Sequence, residues 1–600
     1  MKKTLSLALA LVMILTAAVT LFSCGSSKDG DSQTVKQTLA VCLASEPDTI
    51  DPALNSAVDG GTMIVHAFSG LVCYDKDLKL VADCAKELPE GVVADDGKVT
   101  YTFELKEGLK WSDGSELTAE DFVYAWNRAV SPATAADYGY MFDVIDGYDE
   151  AAAGEEGAKL NVTADGNKLS VVLKNDVPYF FELLAFPTYM PVKQSVVEAN
   201  PEGWATDPAT YIGNGPYKMT AWEHNSKITY VKNENYHNAD AITMDTIEFY
   251  LSDDSNNMLA NFQNGDWLFI DNVPVDEMES LAANYPNEYK VTGQLGTYYV
   301  CFNINKDLLP ADSELKGAEK EEAQAEIRNA LALLLDRDYI CKEIGKAGQV
   351  PAPTFVAMGL TDTDGKEFYE NAGHSDDYIG YYDASAEAVA DNCAKAVEVL
   401  KKYYNYDESS KKFTNVPTLE YIYNTDDGHK AIGEYIQQAF AAYGINMTLT
   451  NQEWATFLNT RKDGQYNIAR NGWLADYNDP ISFLDMWITS SGNNDVQFGK
   501  GDHEDVAIYS LDLTDLGIDY KVENATWAET YDYLIGLVKS ETSKETRYAL
   551  MHKAEDLLMS TGCLCPLYYY TDVFMMDDSV KGAFSSPLGF KYFMYSTIEG

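Results

Sequence analysis

Helical and strand patterns alternate along residues 325–475, and this alternation constrains the fold more than any other feature of the sequence. One apolar stripe at helical spacing runs from Ile327 to Leu334. A second stripe, Ile432–Tyr443, ends at Gly444, and the strand-like letters INMTLT follow directly. Such alternation is typical of an α/β domain, in which ligands bind beyond the carboxyl ends of the strands. We therefore expect a ligand site at such an edge.

The whole chain is too long to fold around one hydrophobic core. Its 600 residues predict roughly two to four domains, and the 46% of apolar residues are sufficient to fill them. Lys and Arg number 44 against 94 Asp and Glu, which gives a net charge of −50 that would repel nucleic acid. Because the acidic excess is spread along the chain, we interpret it as the solubility of a secreted surface.

The N-terminus has the pattern of an export signal. Lys2 and Lys3 precede the apolar run Leu5–Phe22, and Cys24 follows a small residue. This segment resembles a bacterial lipoprotein signal, which implies that residues 1–23 are a signal peptide and that Cys24 carries a lipid. Residues 24–37 would be a flexible tether, and the remainder would lie outside the cytoplasmic membrane, anchored to it. An uncleaved membrane helix stays open, because the apolar run approaches the ~20 residues that a span needs.

No catalytic or metal-binding motif stands out. The seven histidines include no pair four residues apart, and the sequence contains no HExxH, GxSxG, CxxC or GxxxxGK[ST] motif. The eight cysteines after Cys24 match no zinc-ligand spacing, and Cys73 with Cys84 is a candidate disulfide that would close a short loop. We expect no cofactor and no metal ion, and an enzyme is the disfavoured class.

Residues 470–480, RNGWLADYNDP, crowd charged and aromatic side chains around turn-forming residues. Tyr466–Arg470 alternates as a strand, so the residues from Gly472 onward are predicted to form the loop at its carboxyl end. The pair Asp479–Pro480 supplies the N-cap and first residue of a helix, ISFLDMW. Because that cap is filled without Asp476, the Asp476 carboxylate is available to a ligand.

Several segments together resemble one family. They are, in chain order, ASEPDTIDPALN (44–55), AFSGLVCYDKDLKLVADCAKEL (67–88), YTFELKEGLKWSDGSELTAEDFVYAWNRAVSP (101–132), IGNGPYKM (212–219) and RNGWLADYNDPISFLDMW (470–487). In this order, behind an export signal, they are similar to the oligopeptide-binding extracytoplasmic proteins of ABC importers. The similarity runs from about residue 38 to the C-terminus, apart from an acidic stretch near 500–530 that we interpret as a surface insertion.

The resemblance implies an α/β, two-lobe, periplasmic-binding-protein-like fold with an extra inserted domain. Domain I would comprise residues 38–58, 200–297 and 567–600, domain II residues 59–199, and domain III residues 298–566. The chain would cross between the lobes near Gly296–Tyr298 and near Pro566–Leu567, and a hinge is expected there. Ligand would be trapped between the lobes.

The resemblance also implies ligand-binding roles. Asp476 matches the aspartate that takes the α-ammonium of a peptide. The other implied contacts are basic, aromatic or at the cleft edge: Arg470, His429 and Lys346 toward the peptide carboxylate, Trp454 and Trp473 as pocket walls, Tyr298 and Tyr299 beside the hinge, Glu46 at the cleft edge, and Tyr568 in the C-terminal YYY. Structural roles stay open: a salt bridge for Arg470, a helix cap for His429, and the core for each aromatic residue.

The expected function is capture of oligopeptides outside the membrane and delivery to the permease of an ABC importer, without catalysis. The peptide would be extended, with its backbone hydrogen bonds met as in strand addition. Expected partners are the peptide, the permease subunits and the membrane, and the protein is expected to be a monomer. Binding of dipeptides, murein peptides, nickel, haem or sugars, and a peptide pheromone receptor, remain alternatives; an exported peptidase is disfavoured.

Overall fold

The computed structural model describes residues 37–599, except Ser45, residues 371–377 and the side chain of Asp364. From Gln37 onward the chain packs as one compact unit. None of the helices in this described part is both long and apolar enough to cross a membrane. The predicted signal peptide, the Cys24 lipid site and nearly all of the predicted tether lie outside the described residues.

A mixed sheet of eleven strands runs through this unit. Parallel strands form two groups: Met447–Gln452, Leu419–Asn424 and Ile468–Leu474 in one half, and Phe269–Ile270, Thr38–Ala44 and Thr246–Leu251 in the other. Two long antiparallel strands, Tyr289–Phe302 and Leu564–Met576, join the halves. Lys227–Lys232, Tyr217–Glu223 and the short Val350–Pro351 complete the sheet.

The sheet is covered on both faces. Val41 and Cys42 are consecutive residues of one strand and therefore point to opposite faces, yet both are fully buried. Val41 belongs to the large hydrophobic core, whereas Cys42 packs with Met258 and Phe262 of the helix Ser255–Asn264. Burial on both faces is characteristic of parallel strands in α/β folds, as the sequence pattern predicts.

The α-helices connect and cover these strands. Their bounds are Val58–Ala67, Ala119–Val130, Tyr148–Ala152, Phe180–Leu183, Gln194–Val197, Ser255–Asn264, Met278–Asn284, Gly317–Leu333, Arg337–Tyr339, Val389–Leu400, Asp427–Ala442, Trp454–Lys462, Tyr533–Ser540 and Lys544–Ser560. The two apolar stripes described above fall on Gly317–Leu333 and Asp427–Ala442, which are helices as predicted.

A second sheet of four strands lies within residues 59–199. Its order is Val92–Val93, Val99–Glu104, Lys168–Leu173 and Val162–Asp165, all antiparallel. The helix Ala119–Val130 packs beside it and begins with a capping box between Thr118 and Asp121. Trp126 on this helix is fully buried and donates its indole N–H to the backbone carbonyl of Tyr189 at 2.8 Å.

Five two-stranded antiparallel sheets complete the strands of the described residues: Val72–Tyr74 with Leu80–Ala82, Tyr406–Asp407 with Lys412–Phe413, Tyr509–Asp512 with Lys521–Ala525, Val580–Lys581 with Thr597–Ile598, and Phe584–Ser585 with Lys591–Tyr592. The interpretation of residues 500–530 as a surface insertion is wrong in part. Leu511 and Leu513 are buried there because alternate residues of this segment face the core, and Trp527, which follows the strand Lys521–Ala525, is buried too. Cys73 and Cys84 are free thiols, so they form no disulfide.

Candidate ligand-binding cavity

A cavity of about 390 Å³ lies at the carboxyl ends of the parallel strands of both halves. One wall consists of lining residues between 43 and 272 together with Leu588 and Phe590, and its charged side chains are Asp59, Asp253 and Asp271. We call it the acidic face. The opposite wall consists of lining residues between 424 and 495, and we call it the mixed face because it carries both signs: Asp426, Asp476, Asp495, Arg461, Lys462 and Arg470.

The strand Ile468–Leu474 carries Arg470 and Trp473 on the mixed face. The prediction that a loop begins at Gly472 is wrong, because this segment continues to pair with Tyr289–Phe302 as far as Leu474. Gly472 is required there: a Cβ atom would collide with the hydroxyl of Tyr570, which crosses the strand at this point. Gly472 therefore lets Tyr570 reach the cavity.

Asp476 follows this strand and lies at the cavity with one oxygen unpartnered. Its Oδ1 accepts a hydrogen bond from the Tyr138 hydroxyl at 3.0 Å, and its backbone N–H donates to Ser482 Oγ at 2.8 Å. Oδ2 is buried and accepts no hydrogen bond from the described residues. Burial raises the pKa of Asp476 well above its ordinary value, the Tyr138 hydrogen bond opposes that rise, and Asp485 adds to it.

Asp479 caps the next helical turn, which leaves Asp476 free of that role. The segment Pro480–Phe483 is a 3₁₀-helix rather than an α-helix, and the Asp479 carboxylate accepts the backbone N–H of Ile481 at 3.1 Å. Arg547 binds both oxygens of the same carboxylate at 2.9 Å. The predicted cap is therefore confirmed, with an added ion pair.

Arg470, His429 and Asp426 form a compact group on the mixed face. The Arg470 guanidinium lies 5.5 Å from the centre of the Tyr298 ring, and its Nε donates to none of the described residues. His429 is the third residue of the helix Asp427–Ala442, whose N-cap is Asp426, so the alternative of His429 as a cap is wrong. Burial, and then Arg470, lower the pKa of His429 to about 3. His429 is therefore neutral near pH 7.

Asp426 stays ionised beside that neutral histidine. Burial opposes its ionisation, but the charge that His429 carries when protonated, the backbone N–H of His429 and the Arg470 guanidinium hold the pKa of Asp426 below its usual range. Its other oxygen accepts the side-chain amide of Asn272 at 3.2 Å, which reaches across from the acidic face. Asp426 therefore attracts the positive charge of Arg470, but the two side chains form no ion pair in the described structure.

The two tryptophans lie at the cavity walls, where the resemblance to the family predicts them. Trp473 is 9% exposed, donates its indole N–H to the Ser482 carbonyl at 2.8 Å and faces Tyr138 across the cavity, with ring centres 6.3 Å apart. Trp454 begins the helix Trp454–Lys462 and stacks on Phe457. Both line the cavity.

The predicted tyrosines lie behind the cavity wall. Tyr298 is fully buried, stacks on Tyr568 at 4.8 Å and shares a hydrogen bond of 3.3 Å with His429 Nδ1. Tyr299 is also fully buried and packs against Phe355 and Trp487. Neither Tyr298 nor Tyr299 is among the residues that line the cavity. Tyr298 and Tyr568 support Arg470, whereas Tyr299 is core.

Glu46 and Lys346 do not line the cavity. The Glu46 carboxylate pairs with His224 at 2.5 Å and accepts the backbone N–H of Asn225. Lys346 ends a π-helical turn with φ 56° and pairs with the exposed Asp276 at 3.2 Å. The structure therefore assembles Asp476, Arg470, His429, Trp454 and Trp473 at the cavity, and places these two residues elsewhere.

Two further ion pairs were missed on the mixed face. Arg461 Nε lies 3.4 Å from Asp495 Oδ2, and Lys462 pairs with Asp137 at 2.5 Å from the other lobe. Arg461 and Lys462 are consecutive at the C-terminus of the helix Trp454–Lys462, where cations are favoured on any helix. Because cations are common at this position of any helix, the sequence did not indicate that Arg461 and Lys462 line the cavity.

The sequence also failed to indicate Asp59 and Asp271. Asp59 is in the first turn of the helix Val58–Ala67, where acids are common, and Asp271 follows the strand Phe269–Ile270 in a turn-like context. Asp271 was detectable in principle, since it follows a buried strand at the edge where ligands bind. No group of three or more His, Cys, Asp or Glu in the described part of the chain is arranged to hold a metal ion.

The family model described as bacterial extracellular solute-binding proteins, family 5 Middle, matches residues 79–495. The chain belongs to this family. Oligopeptide-binding protein OppA of Bacillus subtilis (strain 168) is 31% identical over 580 residues, covering 95% of this chain and 94% of the relative. Dipeptide-binding protein DppE of the same organism is 29% identical over 569 residues, covering 94% of this chain and 92% of the relative.

A solved structure of OppA from Haemophilus influenzae in complex with the peptide RPPGFSPFR has the same fold. Its TM-score is 0.78 at 27% sequence identity, and the match covers 94% of this chain and 99% of that chain. The expected two-lobe α/β fold with an extra domain is confirmed. In this family-5 solute-binding protein the cavity lies between the mixed and acidic faces, joined by the two long strands.

Proposed function

We propose that this chain is the substrate-binding component of an ABC importer, which captures oligopeptides in the cavity and delivers them to the membrane permease without catalysing a reaction. The observation that carries the proposal is the buried, unpartnered Oδ2 of Asp476 at the cavity wall. Membership of the family and the peptide-binding relatives support the ligand class. A positively charged ligand group would satisfy this carboxylate in its ionised form.

The α-ammonium of a peptide fits Asp476. In the ligand-free cavity, burial favours the protonated carboxyl, and an arriving ammonium group would favour the ionised form. The resulting hydrogen bond is charge-assisted and shielded from water, which makes it roughly twice as strong as a neutral one. Trp473 and Trp454 would then form tolerant walls for side chains of many shapes.

The peptide carboxylate would lie toward Arg470. The Arg470 side chain is held from behind by Tyr298, and its Nε is unpartnered, so it has a donor to offer. His429, being neutral, would contribute a hydrogen bond rather than a charge. Glu46 and Lys346 have no direct part in this proposal, because both are engaged elsewhere.

The division into three domains is part of the proposal. Domain I would span 38–58, 200–297 and 567–600, domain II 59–199 and domain III 298–566. The strands Tyr289–Phe302 and Leu564–Met576 cross between the lobes, and their pairing is irregular between Gly293 and Thr297. Irregular pairing at the crossing suits a hinge. The Tyr138 to Asp476 and Lys462 to Asp137 contacts would form on closure.

Export and anchoring complete the proposal. The sequence of residues 1–24 supports cleavage before Cys24 and a lipid on that cysteine, so that a monomeric binding domain remains tethered outside the membrane. Residues 24–37 are small and polar, which suits a tether.

Calorimetry with short peptides tests the proposal. We expect Asp476→Asn to weaken binding by about 2–5 kcal/mol, because the α-ammonium is left facing a neutral amide in a buried site. Peptides with an acetylated N-terminus should bind the parent weakly, and their affinities for parent and variant should be similar. The matched control is Asp505→Asn, which removes the same charge from an exposed position outside the cavity lining. Equal affinity of Asp476→Asn and the parent for free peptides would remove Asp476 from the site.

A further inference from the structure

We propose that Asp271, reinforced by Asp59, forms a subsite for a basic ligand side chain, so that the preferred ligands are peptides containing Lys or Arg. This inference rests on the proposed function, since it assumes that the cavity holds a peptide. It concerns the acidic face, whereas the peptide termini are assigned to the mixed face.

The acidic face contributes negative charge to the cavity without a matching cation. Its charged lining residues are Asp59, Asp253 and Asp271, whereas Arg461, Lys462 and Arg470 all lie on the mixed face. Arg461 and Lys462 form ion pairs with Asp495 and Asp137, and Arg470 is attracted by Asp426 of its own face without forming an ion pair in the described structure. The cations of the mixed face are therefore not available to neutralise the acidic face.

Asp271 shares its one cation with a second aspartate. Lys591 Nζ lies 3.1 Å from Asp271 Oδ1, but it also lies 2.8 Å and 2.9 Å from the two oxygens of Asp572. Lys591 and Asp572 are almost fully buried, while the Asp271 side chain is 23% exposed at the cavity. One positive charge between two carboxylates leaves a surplus negative charge, and Asp271 is the member that a ligand can reach.

Asp59 adds a second uncompensated carboxylate nearby. Neither of its oxygens accepts a hydrogen bond of good geometry, and among the described residues no Lys, Arg or His forms an ion pair with it. Burial, opposed by Lys591 and aided by Asp572 and Asp59, raises the pKa of Asp271 to about 7. Asp59 is therefore close enough for its charge to act on Asp271.

A single α-ammonium group cannot satisfy these carboxylates and Asp476 together. Asp476 lies on the mixed face with its own unpartnered oxygen. A metal ion is not favoured either, because the described residues place no third ligand with Asp59 and Asp271. A Lys or Arg side chain supplies the missing charge, and the flat Trp454 ring beside Asp59 suits the hydrocarbon stem or the cation itself.

The test compares tripeptides that differ only in one ammonium group. Ala-Ala-Ala backbones carry Lys at one of the three positions, and each has a counterpart with norleucine, which keeps the hydrocarbon chain and the α-ammonium but lacks the side-chain charge. Affinities are measured by calorimetry on the full chain freed of ligand. At one position Lys should bind about ten- to a hundredfold more tightly than norleucine.

Substitution then assigns the preference to the acidic face. In Asp271→Asn, the Lys peptide and its norleucine counterpart should bind with equal affinity. Asp59→Asn, which breaks no ion pair, should reduce the preference partially and serves if Asp271→Asn fails to fold. Asp505→Asn is the matched control for charge.

The outcomes separate the two proposals. If no tripeptide or longer peptide binds, the proposed function fails. If the peptides bind but Lys and norleucine are equal at every position, the basic subsite is overturned while the proposed function stands. A Lys preference that both aspartate variants keep in full also overturns the assignment to Asp271 and Asp59.

Discussion

The two faces of the cavity handle charge in opposite ways. On the mixed face Arg461 forms an ion pair with Asp495, and Arg470 is attracted by Asp426 without an ion pair in the described structure. The acidic face leaves Asp59 without an ion pair among the described residues and makes Asp271 share Lys591. A buried charge without a partner is costly, and the cost is relieved when a ligand brings the partner. The ligand must therefore supply more positive charge than negative charge.

The same comparison explains why Asp476 stands apart on its own face. It is the mixed-face carboxylate without a cation beside it in the described structure, since Tyr138 is its side-chain hydrogen-bond donor. One unpartnered carboxylate on the mixed face matches one α-ammonium. The surplus negative charge of the acidic face then requires a second positively charged group of the ligand.

The largest expected effect comes from breaking the balance of the mixed face. Arg470→Gln should weaken binding of peptides with a free carboxyl terminus by about 2–5 kcal/mol, because the ligand loses a buried partner and Asp426 loses its counter-charge. Peptides with an amidated C-terminus should lose much less. Calorimetry with the two peptide forms measures the difference.

Lys395→Gln is the control for the Arg470 experiment, since it removes one positive charge from an exposed position. Equal losses for free and amidated peptides would show that Arg470 stabilises Asp426 and Tyr298 rather than the peptide carboxylate. The two faces would then differ less in their use of charge than we infer.

A smaller effect is expected on the stability of the ligand-free protein. Burial raises the pKa of Asp59 to about 6, nearby backbone N–H groups and Trp454 oppose the rise, and Asp48 adds to it. Because the folded pKa is raised, the favourable contribution of Asp59 is present below about pH 4 and is lost as pH rises through about 6. Asp59→Asn should therefore be more stable than the parent by about 1–3 kcal/mol at pH 8, with little difference near pH 4.

Urea unfolding of both chains at pH 8, 6 and 4, without ligand, measures this contribution. The difference between parent and variant cancels the titrations of groups that do not interact with Asp59. A parent that is more stable than Asp59→Asn at pH 8 would mean that Asp59 has a cation partner in the free protein, and the acidic face would no longer be short of positive charge.

Local patterns predicted the parts of the site that depend on local structure. The alternation over 325–475 indicated parallel strands with a ligand edge, because helix and strand periods are visible in any window of the sequence. The pair Asp479–Pro480 indicated a helix start, and Asp479 does accept the N–H of Ile481. That local chemistry left Asp476 available, and the resemblance to the family assigned it to the ligand.

The remaining features depend on contacts between distant segments. The surplus negative charge at Asp271 arises because Lys591, from the C-terminal hairpin, also pairs with Asp572. The neutrality of His429 depends on burial and on Arg470. Glu46 and Lys346 were assigned by resemblance alone, and His224 and Asp276 hold them away from the cavity.

Analysis of the ligands that the full chain carries when purified from its native host tests the central claim most directly. The chain is unfolded, and the released small molecules are identified by mass spectrometry. We expect short peptides with free N-termini, in which Lys or Arg is enriched over the peptides of the same extract. A non-peptide solute, or peptides enriched in acidic residues, would contradict the account.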